Sequence, residues 1–277
     1  METAARLRVC ERRWGVQILS VLDGGHRSAV FAGRAAGRDV VVKLTVTRGE
    51  AIDEAVALHA WRHTGAAVEL LDVDTDLRAL LLRRVSPGTP LARDHLVPAA
   101  TAADLLNRLH SSPNESHRFR SLTEVYPELE RVALDDIDFE RRTRSEPTRG
   151  EAGLRCIEAA RSSMRRLCAS TTRTTLLHGD FLLKNLLLDT TGYIAIDPKP
   201  RTGDPCADIG FFASDHASAT ILARSTEIAE CLGADAERAR RWAAVWTVLQ
   251  TVSAWRDDQR ELERLVASDE VARLLRA

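Results

Sequence analysis

Asp180 and Asn185 stand five residues apart inside LLHGDFLLKNLLLD (176–189), a segment that is otherwise mostly apolar. A polar side chain in such a segment lowers stability unless the fold or a ligand satisfies it. Twelve residues beyond Asn185, Asp197 ends the apolar run YIAID and is followed by Pro198. An asparagine amide oxygen and an aspartate carboxylate are hard donors suited to Mg²⁺, which takes its other ligands from water and nucleotide phosphates. Asn185 and Asp197 are therefore candidate metal ligands. Asp180 is left to accept a proton from an acceptor hydroxyl, as phosphoryl transfer requires.

These residues need elements to hold them. GVQILSV (15–21), SAVFAGR (28–34), DVVVKLTV (39–46), AVELLDVD (67–74) and LRALLLRRV (77–85) read as strands, the first ending in the turn signal Asp23-Gly24-Gly25. EAIDEAVALHAWRH (50–63) puts Ile52, Val56, His59 and Ala60 at helical spacing. The first 85 residues thus read β-β-β-α-β-β. Ser86-Pro87-Gly88-Thr89-Pro90 has the composition of a hinge. Beyond it, helices are expected at 98–111, 121–134, 150–171, 207–232, 235–259 and 260–276, with short strands inside 174–197 and an exposed connection at RRTRSEPTRGE (141–151). The expectation is an α+β chain with a β-rich lobe (1–85), a linker (86–91) and a larger, mainly helical lobe (92–277).

Bulk properties exclude several classes of function. A net charge of −1 over 277 residues gives no global attraction for nucleic acid or an anionic membrane. METAARLRVCERRW at the N-terminus is charged throughout, and no run reaches the roughly 18 apolar residues of a membrane span. A soluble, cytoplasmic protein is expected. The five cysteines, Cys10, Cys156, Cys168, Cys206 and Cys231, are scattered and never form C-x-x-C, which argues against disulfides and a zinc site. Only three of the 39 basic residues are lysines: Lys43, Lys184 and Lys199. Where an arginine-rich chain still writes lysine, a compact ammonium and a planar guanidinium need not be interchangeable.

His178-Gly179-Asp180 with Asn185, and Ile196-Asp197 further on, resemble the H-G-D-x-x-x-x-N loop and I-D strand end of protein-kinase-like enzymes, specifically the aminoglycoside phosphotransferase family. LLNRLHSSP (105–113), AIDPK (195–199) and ELLDVDTDLRALLLRRVSPGTPL (69–91) are similar to its streptomycin 6-kinase and hydroxyurea kinase branch, and the similarity spans most of residues 20–255. The resemblance implies a two-lobed kinase-like fold, ATP (or GTP) and Mg²⁺ as cofactors, and phosphorylation of a hydroxyl on a small cationic antibiotic. A streptomycin-like aminoglycoside or a peptide antibiotic of the capreomycin–viomycin type fits that description. Hydroxyurea, or a primary metabolite such as a sugar or amino alcohol, is the alternative substrate. A pseudokinase-like nucleotide-binding module is the non-catalytic alternative, and the presence of every catalytic and metal residue speaks against it.

Site residues follow from the same resemblance. Lys43 matches the lysine that holds the α- and β-phosphates, and Glu54 the acid that pairs with it. The turn carrying Gly24, Gly25, His26 and Ser28 takes the place of the phosphate-covering loop, and Leu82, Arg83, Arg84 and Val85 that of the hinge whose backbone meets the purine. Asp208 matches an acid that ties down the catalytic loop. One departure stands out: the position two after Asp180, often polar or basic in relatives, is Leu182. Lys199 and Arg201 are the candidates for neutralising the γ-phosphate in its place, and Lys184 has no assigned role. His110 is expected to bond structurally, and Trp242, Trp246 and Trp255 to fill the core. DDIDFE (135–140), Asp215, Asp257 and Asp258 are the acids available to attract a cationic substrate.

Overall fold

The computed structural model describes residues 2–22, 28–92, 95–111, 118–143, 150–253 and 258–277. The chain forms two compact units, Met1–Leu91 with Lys184–Pro200, and Ala92–Leu183 with Arg201–Ala277. The sequence reading placed 184–200 with the helical part; here that segment folds with the first 91 residues.

The first unit opens with a helix that the sequence reading did not foresee, α1 (Thr3–Trp14). Strands β1 (Gln17–Leu22), β2 (Ala29–Ala35), β3 (Arg38–Leu44), β4 (Leu70–Asp74) and β5 (Ala79–Arg83) form an antiparallel sheet in the order β1-β2-β3-β5-β4. Val40, Val42 and Leu44 of β3 share a buried cluster with Phe31, Ala79, Leu81 and Cys10 of α1. Buried Arg6 of α1 donates to the carbonyls of Leu77 (2.8 Å), Thr45 (2.9 Å) and Arg78 (2.8 Å), closing one end of the sheet. Side chains alternate along a strand, so Lys43 turns away from that cluster, toward the opposite face.

α2 (Arg48–Trp61) starts at a capping box in which Thr47 and Glu50 satisfy each other's backbone N–H groups. Its buried face carries Ala51, Glu54, Ala55, Leu58 and Trp61, whereas Ile52 and His59 are exposed. The apolar spacing Ile52–Val56–His59–Ala60 therefore marks the outer side. Small alanines and a paired acid form the true inner stripe, and an apolarity pattern gives them little weight.

The proline-rich segment expected as a hinge is a strand, β6 (Pro87–Pro90), paired with β8 (Leu186–Asp189), which pairs in turn with β9 (Gly192–Ala195). Its prolines are tolerated because β6 lies at the sheet edge. Gly88, at φ +69°, sits at the register shift, and a Cβ there would lie 2.6 Å from the Val85 carbonyl oxygen.

The second unit holds α3 (Ala99–His110), α4 (Leu122–Thr143), α5 (Gly150–Ala169), the ladder of β7 (Thr175–Leu177) with β10 (Arg201–Gly203), α6 (Cys206–Ser214), α7 (Ile221–Leu232), α8 (Ala236–Ser253), α9 (Gln259–Val266) and α10 (Asp269–Arg276). The expected helix 207–232 breaks after Ser214; of 235–259, α8 covers the residues to Ser253, 254–257 lie outside the described residues, and α9 starts at Gln259. α8 runs through the core, with buried Trp242 and Trp246 stacked at 5.9 Å and donating to Asp204 (2.6 Å) and the Ala207 carbonyl (3.0 Å). Both are core residues, as the sequence reading had them; Trp255 lies outside the described residues. Among the described residues no helix is long and apolar enough to cross a membrane.

Candidate active site

In the first unit four charged side chains meet. Lys43 Nζ donates to Glu54 Oε1 at 2.7 Å, to Glu54 Oε2 at 2.6 Å and to Asp197 Oδ1 at 2.5 Å. Lys199 Nζ reaches the same Asp197 oxygen at 2.9 Å. The ladder fixes Lys43 opposite Val30 and Leu80, and α2 brings Glu54 over that face of the sheet. Burial works against the Lys43 charge, but Glu54 and Asp197 outweigh it and hold the ammonium above the usual lysine range. Burial likewise pushes Asp197 up, yet Lys43 and Lys199 hold its carboxyl below the ordinary value. Two cations on one carboxylate keep that group ionised.

Asp197 adopts φ +52°, a left-handed conformation that costs a non-glycine residue roughly 1–2 kcal/mol. The backbone around it is pinned: Ile196 N–H donates to the Asn185 carbonyl at 2.9 Å, and Ala195 exchanges backbone hydrogen bonds with Ala66 (2.8 Å) and Val68 (2.9 Å). The Ile196–Asn185 bond ties the aspartate's strand end to Asn185, which is buried at the end of a 3₁₀ turn, Leu183–Asn185. No group of three or more His, Cys, Asp or Glu side chains suited to a metal occurs among the described residues. What the unit does offer is one carboxylate and one amide oxygen. Both ammonium groups take Asp197 Oδ1, while Oδ2 accepts no hydrogen bond among the described residues. Hard oxygen donors of this number fit Mg²⁺ arriving with phosphate oxygens and water.

In the second unit the loop around Asp180 is held from α6. Gly179, at φ +73°, makes the turn that a side chain would strain. Buried Asp208 of α6 accepts the N–H groups of His178 (2.8 Å) and Gly179 (3.1 Å), and His110 Nε2 bonds its carboxylate at 3.0 Å. Burial pushes the Asp208 carboxyl up, but the His110 bond, the charge of both histidines and the His178 N–H together hold it below the usual range. Asp215, at the C-cap of α6, accepts the Leu183 N–H at 2.9 Å. Phe181 packs edge-on to His178 (5.6 Å) and tilted on Phe212 (5.0 Å), anchoring the middle of the loop in the core. Asp180 is left half-buried at the turn.

The other expected site residues fall as follows. Gly24, Gly25 and His26 lie outside the described residues, and so does Asp257. Ser28 is half-buried just before β2. Leu82 and Arg83 end β5, with Arg83 bonded to Asp189 at 3.0 Å; Arg84 N–H donates to Asp39 at 3.2 Å, and Val85 is buried. Asp215 is buried and turned to the loop, not set out as a surface charge. The Asp258 carboxylate accepts the N–H (2.8 Å) and hydroxyl (2.5 Å) of Ser218. The brace from Asp215 is the contact the sequence reading missed. Its signal was there: Asp208 and Asp215 are seven residues apart, about two helical turns, on one side of α6.

The profile of the aminoglycoside/hydroxyurea antibiotic resistance kinase family matches residues 13–259. The chain belongs to this family. The kinase is 31% identical over 256 residues to a hydroxyurea phosphotransferase of Kitasatospora aureofaciens, covering 85% of this chain and 68% of that one. It is also 31% identical over 254 residues to the streptomycin 6-kinase of Streptomyces griseus, covering 84% and 76%. Among solved structures it is similar to spectinomycin phosphotransferase in complex with ADP and spectinomycin (TM-score 0.63, 12% identity, 100% and 98% covered). A GDP complex of aminoglycoside 2′-phosphotransferase-IIIa matches at a TM-score of 0.64 (16% identity, 99% and 96% covered), and choline kinase LicA of Streptococcus pneumoniae at 0.63 (14%, 97% and 99%). At such identities the likeness is one of fold, and the fold is protein-kinase-like.

Proposed function

We propose that this kinase transfers the γ-phosphoryl group of ATP (or GTP) to a hydroxyl of a small cationic antibiotic, streptomycin-like or of the capreomycin–viomycin type, and so inactivates it. The observation that carries the reading is the Lys43–Glu54–Asp197 cluster, a buried ammonium fixed between two carboxylates within the family-matched region. In this reading Lys43 holds the α- and β-phosphates, with Glu54 fixing its position. Asn185 and Asp197 hold Mg²⁺, which when bound neutralises phosphate charge. The half-buried Asp180 orients the acceptor hydroxyl and takes its proton. As the new bond from that oxygen to phosphorus forms, the bond from phosphorus to the β,γ-bridging oxygen breaks, and the nucleoside diphosphate leaves with the electron pair. Positioning and charge neutralisation supply most of the acceleration.

The choice of antibiotic rests on the named relatives, because two of the acids expected to attract a cation, Asp215 and Asp258, are engaged within the fold, and Asp257 lies outside the described residues. The equal 31% identity to the hydroxyurea phosphotransferase makes hydroxyurea the second reading. The test is phosphorylation by the purified chain, with ATP and Mg²⁺, of streptomycin, capreomycin, viomycin and hydroxyurea in separate reactions, followed by mass spectrometry. Gain of one phosphoryl group on an antibiotic, abolished in Asp180→Ala, is expected. Product from hydroxyurea alone selects the second reading, and no product in any reaction overturns both.

A further inference from the structure

Two of the three lysines in the chain, Lys43 and Lys199, put their ammonium groups on one oxygen of Asp197. They are not equivalent. The Lys43 side chain is 6% exposed and already matched by Glu54. The Lys199 side chain is 38% exposed, and Asp197 is its partner. Two ammonium groups balance two carboxylates here, so Lys199 is the cation that Asp197 would share when a further positive ion and a polyanion enter.

The backbone supports that use. Lys199 stands between Pro198 and Pro200, both buried. Proline fixes its own φ and restricts the residue before it, so the base of the Lys199 side chain is rigid, while the side chain as a whole is partly open to solvent. An ammonium at the end of a flexible stem is a point charge with three donors, able to bond a carboxylate oxygen and a phosphate oxygen at once. A guanidinium, the default cation of this chain, is a planar fork and fits that double role less well. The position two beyond Asp180 is buried Leu182, an apolar side chain that carries no charge to the phosphate.

We propose that Lys199 is a catalytic residue that bridges Asp197 and the γ-phosphoryl group of the bound nucleotide. Its charge bears on the phosphoryl oxygens while the bond from phosphorus to the β,γ-bridging oxygen breaks and the bond to the acceptor oxygen forms. This rests on the phosphotransferase reading above. A merely structural Lys199 would act through Asp197 and affect every nucleotide alike, whereas a γ-phosphate contact affects only those carrying that group.

The experiment is calorimetric titration of the purified chain with ADP and with a non-hydrolysable ATP analogue, each with Mg²⁺, for wild type, Lys199→Met and Lys199→Arg. Lys199→Met is expected to bind the analogue about tenfold more weakly, the worth of one charge-assisted hydrogen bond, with ADP affinity unchanged within about twofold. Its kcat is expected to fall by about 100-fold, as when one charge-stabilising donor is lost. Lys199→Arg, which keeps the charge, is expected to retain part of the preference for the analogue. An equal loss of both nucleotides in Lys199→Met, or no loss of either, overturns the proposal. A wild-type chain that binds neither nucleotide overturns the phosphotransferase reading itself, a result separate from the first.

Discussion

Asp215→Ala tests how the kinase holds Asp180. The carboxylate at 215 accepts the Leu183 N–H at 2.9 Å, and the one at 208 accepts those of His178 and Gly179. The loop is thus gripped on both sides of Asp180 by one helix, and seven residues of helix separate the grips by roughly 10 Å. Leu183 is buried, so deleting its acceptor strands a donor away from water. That is expected to destabilise the fold by about 1–3 kcal/mol. Against a total of about 5–15 kcal/mol the variant still folds.

The catalytic loss should exceed what stability alone explains. With one grip gone, Asp180 is free to shift by about an ångström, a displacement worth on the order of 100-fold in rate. A kcat lowered about 10- to 100-fold, with a smaller effect on the KM for ATP, is therefore expected, since Lys43 is held by Glu54 and Asp197. Asp215→Asn keeps an acceptor oxygen and should recover much of the rate. Steady-state kinetics with both substrates varied, together with urea unfolding and amide exchange at Leu183, read all three. Unfolding that shifts while kcat does not would show that the brace leaves Asp180 in place. A raised KM for the acceptor at constant kcat would restore the surface-charge role that the sequence suggested for Asp215, and would refute the reasoning.

Three further outcomes are expected. Gly210→Ala should destabilise by about 1–3 kcal/mol by urea unfolding, because the added Cβ would lie 2.5 Å from the Ala243 nitrogen and 2.6 Å from the Trp242 carbonyl carbon, both backbone atoms of α8. The folded Asp208 carboxyl lies below its unfolded value, so its contribution is full above about pH 4 and is lost as pH falls through the lowered value. Urea midpoints followed from neutral to acid pH should fall less steeply in Asp208→Asn. In thiol titration Cys231, which is exposed, should react first, while Cys10 and Cys206, pushed by burial to about 11 and about 12, should react only on unfolding.

Strands were easy to find because alternation and turn residues are local. The five runs read as strands between 15 and 85 all became strands, with ends shifted by a few residues. The first helix was missed for a physical reason: its buried residues are Cys10 and Arg6, and an arginine that caps three carbonyls carries no apolar signal. The long helix predicted at 207–232 breaks after Ser214, where a tertiary contact competes with helix continuation: Asp215 turns to the Leu183 N–H.

The same rule governs the site. Asp180, Asn185 and Asp197 were legible because polar residues at fixed spacing inside apolar runs are conspicuous, and the backbone bond between Ile196 and Asn185 shows why two of them stay together. Glu54 and Asp215 were harder, since Glu54 lies on a helix whose apolar spacing points outward, Asp215 caps the end of α6, and each is buried against a partner outside its own helix. Glu54 came from family resemblance, and periodicity alone would have assigned its helix the wrong inner face. A buried acid is stable only with a cation or an N–H donor beside it. Its position in a sequence therefore means little until that partner is known, and the partners here lie 11 and 32 residues away. Lysine usage points the same way. In a chain that otherwise writes arginine, two of the three lysines converge on Asp197 Oδ1, which is where the proposed function calls for a compact charge. Lys184, the third, is exposed and stands outside that cluster, so rarity alone did not identify a site residue; convergence on one oxygen did.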